Sequence, residues 1–297
     1  MTTIGLLYDT HVTYGTRKAG DGQAQMDAAI DKINEQAPDW TVHGGDIRPL
    51  SPMTSPDEVD WGGWDGDDDN VFYHKDFNEA KTRLENRLNS EYRVCRGNHD
   101  RPYHVLQDYF PSDRHSPNAE SAEDGDPAGY YGSEIVNGVR YVYLDSNGTM
   151  GYSAQDQIEA WVSANQLSML DRLADDDSNI PTFVFLHNPL VQHGNDYNYK
   201  SGKAYNYELI YNRTSVRSRL EKMNTQLVHS GHVFSQQDAD STTVNGIEYT
   251  IGDHLYRYGS TPGDVRWLTV DESAKSATLS YYDFETGTKS DLTTVSW

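Results

Sequence analysis

The stretch Ile-Gly-Leu-Leu-Tyr-Asp-Thr-His at residues 4–11 places a short apolar segment directly before an aspartate and a histidine. Five apolar residues followed by polar ones predict a buried β-strand. Residues 24–36 come next with apolar positions at helical spacing, and residues 40–43 are predicted to form a second strand. A strand, a helix and a strand in this order are typical of an α/β layer fold.

The same alternation continues through the first two thirds of the chain. We predict further helices at about 75–88, 157–173 and 216–223. We predict further strands at 92–96, 140–144, 182–186 and 226–229. Two segments rich in Pro, Gly and Asp, residues 48–70 and 111–129, are predicted to be irregular and to shape the ligand pocket.

The last third has a different pattern. Its apolar runs are predicted to form an antiparallel meander, with strands at 247–251, 265–270, 277–282 and 292–295. Neither a linker nor an internal repeat separates it from the rest of the chain. The sequence therefore predicts one domain over residues 1–297, of class α/β, with two packed mixed β-sheets flanked by helices.

The composition is strongly acidic, with 46 Asp and Glu against 24 Lys and Arg and a formal net charge of −22. This charge repels nucleic acids and anionic membranes and argues against both as partners. Because the acids are spread along the chain, they resemble the surface of a halophilic protein; an acidic patch for a cationic partner is the alternative.

Location and redox state follow from two further features. The N-terminus has no basic region before an apolar segment, and no run approaches the roughly 18–20 apolar residues needed to cross a bilayer. Cys95 is the single cysteine, which excludes an intramolecular disulfide and a cysteine-based zinc site. We expect a soluble cytoplasmic protein of unspecified oligomeric state.

Chemically active side chains follow the predicted strands, where α/β folds place their ligand sites. They are Asp9 and His11, Asp46, the run Asn98-His99-Asp100, His187 and His232. Carboxylate oxygens and imidazole nitrogens together suit Mn²⁺, iron and Zn²⁺. The set predicts two divalent or trivalent metal ions, close enough to clamp a phosphate between them.

These motifs resemble the calcineurin-like metallophosphoesterase superfamily. The pattern is Asp-x-His, Gly-Asp, Gly-Asn-His-Asp, a lone His after an apolar strand, and Gly-His-x-His, and four of its five blocks match fully between Ile4 and about Phe234. Gly-Asn-His-Asp is the most specific block. Residues 37–46 and 185–190 look most like the branch that contains cyclic-nucleotide phosphodiesterases and purple-acid-phosphatase-like enzymes, and the resemblance implies a four-layer sandwich.

The resemblance also implies a role for each residue. Asp9 and His11 would bind the first metal, and Asp46 would bridge both metals. The second metal would be completed by three further ligands, Asn98, His187 and His232. His99 would give a proton or a hydrogen bond to the leaving oxygen, with Asp100 orienting its ring.

One position departs from the family pattern. Phe234 stands where the last His is usual, and a phenyl ring cannot bind a metal. Three outcomes are open: water or a nearby imidazole fills the position, the first site binds weakly, or the protein holds one metal and is impaired. His229, His193 and His254 are the candidate substitutes.

The expected function is hydrolysis of a small phosphoric ester, either a monoester or a diester, by hydroxide held between the two metals. The alternative is a binding scaffold that keeps the fold and has lost one metal or its catalysis, with Phe234 as the sign of that loss.

Overall fold

A computed structural model describes most of the chain. The described residues are 1–12, 22–48, 71–100, 103–111, 130–147, 160–193, 209–232, 240–252, 255 and 263–297. The predicted loop at 48–70 therefore lies outside them except for Arg48, and the loop at 111–129 lies outside them except for Pro111. No helix in the described ranges is long and apolar enough to span a membrane.

The first sheet, sheet A, has six strands in the order β12-β11-β10-β1-β2-β3. Its parallel part consists of β1 (Thr2–Leu7), β2 (Trp40–His43) and β3 (Glu91–Val94). Its antiparallel part consists of β10 (Asp264–Asp271), β11 (Ser276–Asp283) and β12 (Thr288–Ser296). Strand β10 pairs with β1 and joins the end of the chain to its beginning.

The second sheet, sheet B, also has six strands, in the order β4-β5-β6-β7-β9-β8. Its four central strands are parallel and comprise β5 (Val139–Tyr143), β6 (Thr182–Phe185), β7 (Thr225–Ser230) and β9 (Ile247–Ile251). An antiparallel strand closes each edge, β4 (Gly132–Val136) on one side and β8 (Asp240–Val244) on the other. Both sheets are mixed, as predicted.

Helices cover the outer faces of the sheets. They are α1 (Gly22–Asn34), α2 (Val71–Arg87), α3 (Tyr103–Tyr109), α4 (Ala164–Asp176) and α5 (Arg213–Leu220). Apolar residues of α1 and α2 pack with Leu7 in one buried cluster, and those of α4 and α5 pack with Val184 in another. The order of layers is helix, sheet, sheet, helix, which confirms the predicted fold class.

Side chains alternate between the two faces of each strand, and the inward-facing ones form the core between the sheets. In β1, Ile4 and Leu6 face this core, whereas Leu7 faces the helices. Phe183 and Phe185 of β6 meet them from the other sheet. Both faces of the central strands are covered, which explains why their sequences are mostly apolar and do not alternate between apolar and polar residues.

The predicted meander of the last third is wrong in one part. Residues 247–251 belong to sheet B, where β9 lies parallel to β7, and only β10 to β12 form the antiparallel meander. All five residues of β9 are buried. Such burial on both faces is typical of a central parallel strand, and the sequence pattern alone does not assign it to a sheet.

Sequence patterns also missed or displaced several elements. The predictions did not include α3, β4 or β8. The helix predicted at 157–173 begins at Ala164, because Ser163 caps it by accepting a hydrogen bond from the Gln166 amide at 3.4 Å. Residues 160–163 are not helical, and residues 157–159 lie outside the described ranges.

We expect Phe185→Ala to lower the free energy of unfolding by about 3–5 kcal/mol, because it leaves a cavity between the sheets. Phe185 is fully buried, and its ring stacks on Tyr143 with centroids 5.7 Å apart. The control is Ile135→Ala, since Ile135 is 56% exposed, and its expected cost is about 1 kcal/mol or less. Urea unfolding measures both values, and equal losses would contradict the assigned core.

Candidate metal centre

The predicted ligands converge at one edge of the two sheets. Asp9 and His11 follow β1, Asp46 follows β2, and Asn98 follows β3. From sheet B, His187 follows β6 and His232 follows β7. Parallel strands end at the same edge, so their carboxyl-terminal loops meet there. The loops also bond to one another: the Asp9 amide donates to the Gly45 carbonyl at 3.1 Å, and the Gly231 amide donates to the His187 carbonyl at 2.9 Å.

The first group of side chains surrounds one nitrogen of His187. Nε2 of His187 lies 3.0 Å from Oδ1 of Asn98, 3.1 Å from Nδ1 of His232 and 3.3 Å from Oδ1 of Asp46. Nδ1 of the same ring lies 3.0 Å from the Gly44 carbonyl. A ring nitrogen carries either one hydrogen or one lone pair, so hydrogen bonds alone cannot satisfy three partners around Nε2.

A metal ion fits this group. Two ligand atoms that each lie about 2.1 Å from an ion, at right angles, are about 3.0 Å apart. The spacings around His187 match that value. The donor set of carboxylate, amide oxygen and two imidazoles is also one that Mn²⁺, iron and Zn²⁺ accept. The bond from Nδ1 of His187 to the Gly44 carbonyl is the orienting contact that a metal-binding histidine usually has.

A second group contains His11, Asp46 and His99, whose ligand atoms lie within 4.8 Å of one another. Oδ2 of Asp46 is 3.9 Å from Nε2 of His11 and 3.9 Å from Nε2 of His99. Asp46 is thus common to both groups, as expected of a bridging ligand. The sequence reasoning placed His99 outside the ligands, yet the structure sets it beside them.

Asp9 lies close to both groups but belongs to neither triad. It is fully buried, and its Oδ2 accepts a hydrogen bond from the His232 amide at 3.0 Å. This contact ties the end of β1 in sheet A to the end of β7 in sheet B. Its predicted role as a ligand of the first metal stays a prediction.

Asp100 has contacts other than those expected. Its Oδ1 accepts a hydrogen bond from the Ile47 amide at 2.7 Å, and its Oδ2 accepts one from the Gly97 amide at 2.8 Å. Within the described ranges, Nδ1 of His99 is buried and has no hydrogen-bond partner. The carboxylate of Asp100 therefore joins the loops after β2 and β3 and does not hold the His99 ring.

Four of the predicted ligands have a left-handed backbone. The φ angles are 51° at Asp9, 43° at His11, 53° at Asp46 and 73° at His232. Residues other than glycine adopt this region at a cost of order 1–3 kcal/mol each, and such strain gathers at functional sites. The tight turns aim these side chains toward one another.

Burial and opposite charges set the ionisation of the bridging carboxylate. Burial raises the pKa of Asp46, but the charges of His187, His99 and His11 outweigh it and hold that pKa well below its usual value. Burial lowers the pKa of His187, but the charge of Asp46 and its hydrogen bond outweigh burial and raise that pKa to about 9. The cluster thus favours an ionised Asp46, which is the form that binds a cation, and a metal ion that binds here takes the place of the proton on His187.

The described substitutes for the missing last histidine lie elsewhere. His229 is buried between the sheets, where its ring packs edge-on against Tyr8 at 4.9 Å and its Nδ1 lies 2.8 Å from Oγ1 of Thr250. Neither His229 nor His193 belongs to the two ligand groups. Phe234 and His254 lie outside the described residues.

A comparison with known families agrees with the geometry. The family model named calcineurin-like phosphoesterase matches residues 3–235, which hold every predicted ligand. This chain belongs to the calcineurin-like phosphoesterase family. No curated protein sequence matches this chain.

Two solved structures share the phosphoesterase fold. A dimetal phosphatase from Danio rerio is 12% identical, with a TM-score of 0.69 over 100% of this chain and 99% of the other. The purple acid phosphatase PPD1 from yellow lupin seeds is 11% identical, with a TM-score of 0.61 over 99% of this chain and 53% of the other. At these identities the similarity concerns the fold alone.

Sequence reasoning missed a set of buried polar residues that lie next to the predicted ligands. Asp145, Ser146 and Asn147 follow β5 at the same edge, and Asn188 follows His187. All four are buried. The signal was present, because these residues follow a predicted strand just as the ligands do. Arg96, directly before Gly97, completes the set and is fully buried.

We expect Gly97→Ala to abolish metal binding. A Cβ at Gly97 would lie 2.1 Å from the Asp46 amide nitrogen and 2.2 Å from its Oδ1, so the loops after β2 and β3 would have to separate. Gly252→Ala is the control, since its Cβ would meet its nearest neighbours at an ordinary 3.5 Å. Elemental analysis of both purified variants tests this expectation, and two metals retained in Gly97→Ala would contradict it.

We expect His43 to lower stability in acid. Burial lowers its pKa to about 3, and its neutral ring accepts from the Gly45 amide at 3.2 Å and lies 3.0 Å from Oγ1 of Thr10. The unfolded chain gains a proton near pH 6.5 that the fold excludes, so stability falls as pH drops below that value. One such group lowers the free energy of unfolding by up to about 1.4 kcal/mol for each pH unit below that value.

The measurement is urea unfolding between pH 6.5 and 4.5 for the wild type and His43→Asn, whose amide oxygen keeps an acceptor near Gly45. The variant should lose less stability per pH unit, by up to that amount. Parallel pH profiles would show that His43 is not held neutral.

Proposed function

We propose that the protein is a metal-dependent phosphoric ester hydrolase with a dinuclear metal centre. The observation that carries this proposal is the shared position of Asp46, whose carboxylate belongs to both ligand groups. Membership of the calcineurin-like phosphoesterase family supports it, and so does the shared fold with a dimetal phosphatase. When bound, the two ions would polarise the phosphate and supply hydroxide as the nucleophile.

The protein's own residues divide the remaining tasks. Asp9, His11 and Asp46 would hold the first ion, and Asp46, Asn98, His187 and His232 the second. We take manganese, iron or zinc as the ions, because this donor set suits all three. Ionised Asp46 would contribute a ligand to both ions.

His99 is the proposed donor to the leaving oxygen. Its side chain is 27% exposed beside the nearly buried Asp46, so a bound phosphoester can reach it. Burial lowers the pKa of His99 although the charge of Asp46 opposes this. A lowered pKa makes the protonated ring a stronger acid toward an alkoxide. Asp100 would position the His99 loop through its amide contacts and not through the ring.

Several broader features are part of the same proposal. A net charge of −22 disfavours long polyanions and leaves small phosphoesters as the substrate class. The even spread of acids fits a halophilic protein. Cys95 is a buried free thiol, in keeping with a reducing cytoplasm. The core shared by both sheets supports one domain over residues 1–297.

The test combines metal analysis with hydrolysis of bis-p-nitrophenyl phosphate in the presence of Mn²⁺. We expect two metals per chain and turnover in the wild type. Asp46→Ala should lose both metals, because it removes the shared ligand. His99→Ala should keep its fold and lose about 10²–10⁴-fold in kcat, the usual effect of removing a proton donor.

The control is His74→Ala, since His74 lies on α2 and contacts the Tyr109 hydroxyl at 3.1 Å, away from the ligand groups. It should retain full activity. Full activity in both Asp46→Ala and His99→Ala would overturn the hydrolase assignment. Two bound metals without turnover on monoesters or diesters would favour the binding scaffold.

A further inference from the structure

A buried polar network lies directly behind Asn98 and His187. We propose that this network, made of Arg96, Asp145, Ser146, Asn147 and Asn188, positions those two ligands and sets the affinity of the second metal. The inference rests on the proposed metal centre and assigns a task to residues that do not themselves bind the ion. We call this set the Arg96 network.

Arg96 makes the charged contact of the network. Its Nη2 lies 2.6 Å from Oδ2 of Asp145, and its Nε donates to Oδ1 of the same residue at 3.2 Å. Nη2 also donates to the Asn147 carbonyl at 2.7 Å. Arg96 is the last residue before the Gly97-Asn98-His99 turn of sheet A, whereas Asp145 follows β5 of sheet B. The pair therefore fixes one ligand loop against the other sheet.

Asn147 fixes the backbone on which the turn begins. Its Nδ2 donates to the Arg96 carbonyl at 3.0 Å. The amide on the other side of the same peptide group, that of Gly97, donates to Asp100. Buried side chains thus hold both the carbonyl and the amide of the peptide group between Arg96 and Gly97. This peptide group, one residue before Asn98, therefore has little freedom to rotate.

The same asparagine reaches the loop of His187. Nδ2 of Asn147 lies 3.2 Å from Oδ1 of Asn188, and Oγ of Ser146 donates to that oxygen at 2.9 Å. The Asn188 amide donates back to Oγ of Ser146 at 2.9 Å. Since Asn188 follows His187, the network sets the distance between the two ligand loops, which meet at the 3.0 Å contact of Asn98 with His187.

Stability alone is a weak reason for such a network. A buried ion pair contributes little net stability, because the attraction roughly offsets the loss of hydration. Geometry is the stronger reason, since outer residues that orient metal ligands change metal affinity by about 10–100-fold when removed. The network includes Arg96, two residues before Asn98, and Asn188, the residue directly after His187.

The chain supplies a matched control pair. Arg93 lies three positions earlier, on β3 itself, and its Nε lies 3.4 Å from Oε1 of Glu134 on β4. Like Arg96, it joins sheet A to sheet B through an acidic partner. Unlike Arg96, it lies within β3 itself, and its hydrogen bonds to Glu134, Glu91 and Tyr92 involve no residue of a ligand loop.

The experiment is calorimetric titration of the metal-free full chain with Mn²⁺, for the wild type, Arg96→Met and Arg93→Met, together with their thermal midpoints. We expect Arg96→Met to keep the first Mn²⁺ and to bind the second about 10–100-fold more weakly. Arg93→Met should bind both ions as the wild type does, whatever its midpoint. Arg96→Lys should fall between, because an ammonium cannot make the forked contact.

A double-variant cycle separates positioning from general destabilisation. In a His187→Ala background the second site is already broken, so Arg96→Met should weaken Mn²⁺ binding no further. If Arg96→Met does not fold, Asn147→Ala replaces it, since that change removes the bond to the Arg96 carbonyl and leaves the ion pair intact. Asn147→Ala should also weaken the binding of the second Mn²⁺.

Unchanged affinity for the second Mn²⁺ in Arg96→Met, or in Asn147→Ala where that variant is used, would overturn the inference. Equal weakening in Arg93→Met would overturn it as well, because the effect would then be one of stability. A wild type that binds fewer than two Mn²⁺ would overturn the dinuclear centre itself, and this result is distinct because it appears before any substitution.

Discussion

Crowding of polar atoms around Nε2 of His187 is the constraint on which the centre depends. Three donor atoms from three loops lie within 3.3 Å of one nitrogen that can make one hydrogen bond. One proton on that nitrogen can serve only part of the set, whereas a metal ion can be shared by all four side chains. The fold holds them there because sheet pairing, left-handed turns and the Arg96 network fix the loops independently of the ligands.

The general architecture could be predicted from the sequence, because strand burial leaves a direct mark on it. Residues 40–43 and 247–251 were predicted with the bounds of β2 and β9. The sheet to which β9 belongs could not be predicted, since an apolar run does not encode its neighbours. The edge strand β4 is half exposed and left no clear pattern of apolar residues.

Of the predicted ligands, the structure brings His11, Asp46, His187 and His232 into the two groups, whereas Asp9 lies in neither group. The contacts of the site could be predicted less well. The ligand types follow strands, and the family motifs select Asp9, His11, Asp46, His187 and His232 from many acids and histidines. The local contacts could not be predicted. The hydrogen bonds of Asp100 to backbone amides depend on how two loops pack, and the motif Gly-Asn-His-Asp does not determine that packing. The Arg96 network was missed for the same reason, since its bonds join residues from three separate strands.

Pairing of the first strand with β10 has a consequence for how the molecule is made. Leu6 lies opposite Arg266, so β1 gains this neighbouring strand only after Arg266 has been synthesised. Contacts between such distant residues form slowly. Until then one edge of β1 has unpaired backbone N–H and C=O groups, which can pair with a strand of another nascent chain. A polypeptide with many acidic groups repels its copies during this interval. The excess of aspartate and glutamate would thus protect the unfinished sheet as well as the finished surface.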